Sequence, residues 1–125
     1  MRPILLGLIF VSVSLGAFAQ LLLKVGMSQP GVRTALAGAP FVQWPLAVAS
    51  SPLVVLGLGI YGVGSLMWLF VLSKLELSAA YPFVGLGFIA TLLVGWLVLG
   101  EQLTLARVLG TLLIASGAVL VARTV

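Results

Sequence analysis

An amide and an ammonium stand one helical turn apart in the stretch AQLLLKVGM, at Gln20 and Lys24. Residues four apart share a face of a helix, so the two would form a donor-rich spot suited to a phosphate. Val13 and Gly16 or Ala17 continue the same face with small neighbours. Lys24 also admits a plainer role, because a lysine near the end of a span can snorkel to the headgroups as an anchor. Gln20, a turn deeper, is not needed for anchoring. Other groups able to do chemistry are few. The net charge of +4 comes from Arg2, Lys24, Arg33, Lys74, Arg107 and Arg123 against Glu76 and Glu101. There is no His and no Cys, which removes disulfides, thiolate nucleophiles and the commonest metal ligands. Two carboxylates leave little for general acid–base catalysis. The expectation is a protein that is not an enzyme and uses no metal or cofactor. The scattered basic residues form no patch for nucleic acid.

The elements that must position these groups are membrane spans. Of 125 residues, 62% are hydrophobic and 6% charged, far from the composition of a soluble domain. A span needs about 20 apolar residues to cross about 30 Å of hydrocarbon. Four segments qualify, at about 3–27, 52–73, 79–99 and 103–122. The chain is therefore expected to be an all-α membrane protein, a single four-helix domain over residues 1–125. The first apolar stretch is too long for the core of a signal peptide. Short links, KLELS at 74–78 and GEQLT at 100–104, force neighbouring helices antiparallel. The longer first loop, 28–51, holds two proline-broken turns and an apolar stretch from Ala39 to Ala49 too short to span. It reads as a segment at the interface with Trp44 at headgroup level, or as a connector with a Trp anchor.

Four spans put both termini on one side with Arg2, Lys74 and Arg123, and put Lys24, Arg33 and Arg107 on the other. Equal numbers of basic residues give no orientation by the positive-inside rule. Glu101 joins the second group, so a cavity on that side would be net basic with one carboxylate. That charge set suits a phosphate-bearing ligand with a cationic or hydroxyl-rich group. Neither glutamate falls within a span, which argues against export of a cation in exchange for protons.

Small residues mark where helices approach closely in lipid. Gly57, Tyr61, Gly64 or Ser65, and Trp68 form a face of small and aromatic residues on the second span, with Tyr61 and Trp68 as candidate ligand contacts. Gly87, Thr91 and Gly95 form a small-residue stripe on the third span, beside Tyr81, Gly85 and Phe88. Gly110 and Gly117 lie two turns apart on the fourth. Glycine-lined faces on several short helices imply a dimer or larger assembly, parallel or antiparallel.

These patterns resemble a family. YGVGSLMWLFVLSKLELSAAYPFVGLGF at 61–88, with its WLFVL run and Ala80-Tyr81-Pro82 turn, is similar to the second and third helices of the small four-helix drug/metabolite transporters (small multidrug resistance and EamA-like proteins). LGEQLTLARVLGTLLIASGAVLV at 99–121 resembles their final loop and helix. The multidrug branch carries a glutamate in the first helix about two turns before the lysine, where this chain has Gly16. The branch of paired subunits that flip aminoarabinose-phosphoundecaprenol is the better match, with an AQL motif, a longer aromatic first loop and SxAYP. The resemblance implies a bacterial inner-membrane flippase subunit for a polyprenyl phosphate or its glycosyl derivative, paired with itself or a related subunit. It implies Gln20, Lys24, Tyr81, Glu101 and Arg107 along the head-group path, with Arg33 and Trp44 on the same side. A proton-coupled exporter of quaternary cations and a non-transporting accessory subunit are the alternatives.

Overall fold

The computed structural model describes residues 3–38 and 40–125; Arg2 of the charge tally and Ala39 of the first-loop segment lie outside them. Seven α-helices follow one another: α1 (Pro3–Met27), α2 (Pro30–Gly38), α3 (Trp44–Ala49), α4 (Pro52–Lys74), α5 (Leu77–Ala80), α6 (Phe83–Leu97) and α7 (Leu105–Ala122). A short 3-10 helix, Phe41–Gln43, precedes α3. Four stretches are long and apolar enough to cross a membrane: α1, α4, α5 with α6, and α7. The expected all-α architecture is therefore the observed one.

The helix boundaries follow local chemistry. Pro52 opens α4 just after the extended Ser51, where its missing N–H would have had no partner. Thr104 caps α7, its hydroxyl accepting from the Arg107 N–H at 3.2 Å. The third span begins at Leu77, two residues before the expected start, and is broken at Tyr81–Pro82. Proline cannot continue the i→i−4 ladder. The chain crosses the break on tighter bonds, from Val84 N–H to Tyr81 O and from Gly85 N–H to Pro82 O, each 2.9 Å. The first loop is more ordered than a connector, since α2 and α3 pack against each other within it. At its base Ser51 donates to the Gln29 side-chain oxygen at 3.2 Å.

The bundle is organised around α1. Its main partner is α4, and the seam is made of residues with little or no side chain. A methyl group on Gly57 would press on Leu23 and the Ala19 carbonyl, and one on Gly64 would touch Leu15 and the Ser12 carbonyl. Such seams replace the hydrophobic driving force that lipid removes. One interhelical hydrogen bond crosses this seam, from buried Ser12 Oγ to the Gly64 carbonyl at 2.9 Å. Nearer the termini, Leu5, Ile9, Val71, Ala80 and Phe83 form a cluster that joins α1, α4, α5 and α6. Helix α6 reaches α1 where Gly87 meets Val13, and it meets α7 where Gly85 faces Ile114 and Ala118.

Candidate functional site

Two recesses bring polar side chains together. The first is a groove of about 280 Å³ between α1, α4 and the broken third span. Ser12, Gly16 and Gln20 come from α1, Tyr61, Gly64, Ser65 and Trp68 from α4, and Tyr81, Gly87 and Thr91 from the third span. These positions lie in the middle of α1 and α4, so the groove sits at mid-depth of the bundle. The glycines make the concavity by leaving out side chains, and the aromatics furnish its walls. The Pro82 break sets Tyr81 at the end of α5, where it is 62% exposed, and Tyr61 opposite is 46% exposed. Among the described residues, Gln20, Tyr61 and Tyr81 make no side-chain hydrogen bond, which leaves an amide and two phenols for a ligand. The Thr91 hydroxyl is committed to its own helix, donating to Phe88 O at 3.0 Å.

The second recess lies beyond the C-terminal end of α6, on the face opposite the termini. It measures about 540 Å³ and is lined by Leu92, Trp96, Glu101, Gln102, Leu103 and Arg107. Its carboxylate and guanidinium are not paired with each other. Arg107 Nη1 donates to the Gln102 carbonyl at 3.0 Å, while Glu101 turns back toward α6. Gly100, at φ 69°, makes that turn in a conformation favouring glycine.

The candidates from the sequence thus divide. Gln20, Tyr61, Trp68 and Tyr81 meet in the first groove, and Glu101 and Arg107 meet in the second recess. Lys24 lines neither; it stands exposed in the last turn of α1, one turn past Gln20 toward the face opposite the termini. Arg33 is exposed on α2. Trp44 opens α3 and meets Phe41 edge-on, with ring centroids 6.0 Å apart. Lys24, Arg33 and Trp44 are on the side of the second recess, as the count of spans requires.

The packing stripe also divides. Gly87 does pack, against Val13 of α1. Thr91 lines the groove. At Gly95 the nearest group is the Glu101 carboxylate and not a neighbouring helix. Gly110 and Gly117 have nothing within 4 Å of where a Cβ would stand, so neither packs within this subunit. Sequence reasoning missed Ser12. Ser12 had a signal, a hydroxyl two turns before Gln20 in an apolar helix.

Over 127 aligned positions the chain is 36% identical to the probable 4-amino-4-deoxy-L-arabinose-phosphoundecaprenol flippase subunit ArnF of Erwinia tasmaniensis, covering 93% of this chain and 94% of that protein. The chain belongs to the ArnE/ArnF family of flippase subunits. Two ArnE members match over shorter stretches. The probable ArnE of Pseudomonas aeruginosa is 37% identical over 62 residues, 50% of this chain and 54% of that protein. The probable ArnE of Pseudomonas savastanoi is 38% identical over 72 residues, 58% of this chain and 63% of that protein. The chain thus spans about half to two thirds of the ArnE relatives and nearly all of the ArnF relative. No family model and no solved structure matches it. Membership of the ArnE/ArnF family and four apolar helices together make this a multi-pass membrane protein.

Proposed function

We propose that residues 1–125 act as one four-helix unit, a subunit of a flippase moving a polyprenyl-phosphate-linked sugar across the bacterial inner membrane. On this reading the protein is a transporter and not an enzyme, and it works paired with a second copy or a related subunit. The observation that carries the proposal is the mid-depth groove, with uncommitted Gln20, Tyr61 and Tyr81 exposed along it. A phosphate or sugar head crossing hydrocarbon loses its hydration, at a cost of several kcal/mol unless new hydrogen bonds replace it. The groove offers such bonds where hydration is lost, while its exposed side lets the prenyl tail remain in lipid. Small size is then sufficient, because only the head needs a sheltered path.

The basic groups take the phosphate at the end of that path. Lys24 lies one turn beyond Gln20, and Arg33 and Arg107 share its face. Glu101 and Arg107 would stand at the mouth, with Trp44 and Phe41 in the headgroup layer guiding the lipid inward. Three helices alone leave the groove open on one side, and the uncovered Gly110 and Gly117 offer a surface where a partner could approach.

The test is native mass spectrometry of protein extracted gently from its own membrane, reading bound lipid and subunit number together. Wild type is expected to retain a polyprenyl phosphate species, and Lys24→Ala and Tyr81→Ala are each expected to lose it. Equal retention by all three would refute the assignment of these residues. A protein free of that lipid, binding a quaternary cation with pH-dependent affinity, would move it to the exporter class. Stable copurification with one enzyme and no transport would make it an accessory subunit.

A further inference from the structure

Glu101 is held by a device that its loop position does not require. The last turn of α6 widens, with Leu99 N–H bonding Val94 O at 3.3 Å, and Gly100 then reverses the chain through φ 69°. This brings the Glu101 N–H back to the Gly95 carbonyl at 2.9 Å. The side chain follows, and its carboxylate lies against the bare Cα of Gly95. A Cβ there would stand 2.5 Å from Glu101 Oε2 and 3.2 Å from Cδ. Gly95 is itself buried. The carboxylate is thus seated by one glycine and aimed by another.

Among the described residues the seated carboxylate has no cationic partner. Arg107 lines the same recess but is tied to the Gln102 carbonyl, and no ion pair joins it to Glu101 among the described residues. Trp96 and Leu92 supply an apolar wall beside it. A fixed, unpaired anion in a recess flanked by a guanidinium is complementary to a zwitterion.

We infer that Gly95 is a positioning residue that seats the Glu101 carboxylate to read a protonated amine on the transported head group. This rests on the flippase reading above and adds a division of labour to it. The amine is recognised in the recess beyond α6, while the phosphate is held by Gln20 and Lys24. Arg107 then disfavours a head group that presents positive charge alone.

Gly95→Ala separates seating from folding. The atoms it would strike are the free end of a flexible side chain, so the carboxylate moves aside while the helix stays intact. Purified protein in phosphatidylcholine nanodiscs would be offered undecaprenyl phosphate and its 4-amino-4-deoxy-L-arabinose glycoside in competition, with occupancy read by native mass spectrometry. Wild type is expected to prefer the amine-bearing lipid roughly tenfold, the scale of one charge-assisted hydrogen bond. Glu101→Gln and Gly95→Ala should each abolish the preference for the amine-bearing lipid. Their combination should do no more than either alone. Preference retained in Gly95→Ala overturns the seating role, and preference retained in Glu101→Gln overturns recognition of the amine altogether. Should Gly95→Ala fail to fold, Glu101→Asp tests the same point by withdrawing the carboxylate one methylene, and an undiminished preference would overturn it. Binding of neither lipid by any form would instead sink the flippase reading itself. Equal competition by phosphatidylethanolamine would confirm the cation site and assign it to bulk phospholipid amines.

Discussion

The corner where α1 meets the start of α4 gives the sharpest physical prediction. A Cβ on Gly26 would lie 2.7 Å from Val54 Cγ2, 2.9 Å from the Val54 backbone nitrogen and 3.2 Å from Leu53 Cβ. The nitrogen cannot rotate away. It belongs to the first turn of α4, Val54 is 2% exposed, and the Ser51–Gln29 hydrogen bond ties this corner to the end of α1. Its 2.9 Å separation falls roughly 0.6 Å short of a comfortable carbon contact, so Gly26→Ala must push the helices apart. Overpacking of this kind costs about 1–3 kcal/mol, against which alanine gains up to about 1 kcal/mol of helix propensity over glycine. Gly7 provides the control. It lies on the same helix, and a Cβ there meets nothing within 4 Å, so Gly7→Ala carries the propensity gain without the collision. The two variants should differ by about 1–3 kcal/mol, with Gly26→Ala the less stable. Reversible unfolding by SDS in mixed micelles, followed by fluorescence, measures the difference, because Trp68 packs on the Leu5–Ile9–Val71 cluster between the same helices. Identical midpoints would refute the argument, since they would mean that α1 and α4 do not approach this closely.

Two smaller effects come from hydrogen bonds. Ser12→Ala removes the one across the α1–α4 seam and should cost about 0.6 kcal/mol, with about 1.7 as the upper end for such bonds in membranes; the same SDS titration reads it. Thr104→Ala removes the cap of α7 and should cost about 1 kcal/mol, with faster hydrogen exchange at the Arg107 amide as the local readout.

The four spans were legible because the thickness of hydrocarbon fixes the length of an apolar helix. The first loop was less so. Gln29-Pro30-Gly31 carries turn residues, yet proline is also a good first residue of a helix, and α2 begins at Pro30. The aromatic side of the groove was legible too, since Tyr61 and Trp68 lie two turns apart beside glycines on one helix. The limit appeared with Gly95. Spacing shows that Gly87, Thr91 and Gly95 share a face, but not what occupies it. Gly87 meets a helix, Thr91 a cavity, and Gly95 a carboxylate brought back by the following turn. Lys24 shows the same limit: a shared helical face with Gln20 did not place it in the same groove.

The arrangement around α1 has a consequence for biosynthesis. Each later spanning helix packs on one already made: α4 on α1, α6 on α1, and α7 on α6. Insertion into the membrane in order of translation therefore gives each new helix an earlier one to pack on, and leaves the Gly85 face of α6 open until α7 arrives. The chain can close its bundle as it emerges, and α7, resting mainly on one neighbour, is the last to dock and the first free to turn toward another subunit.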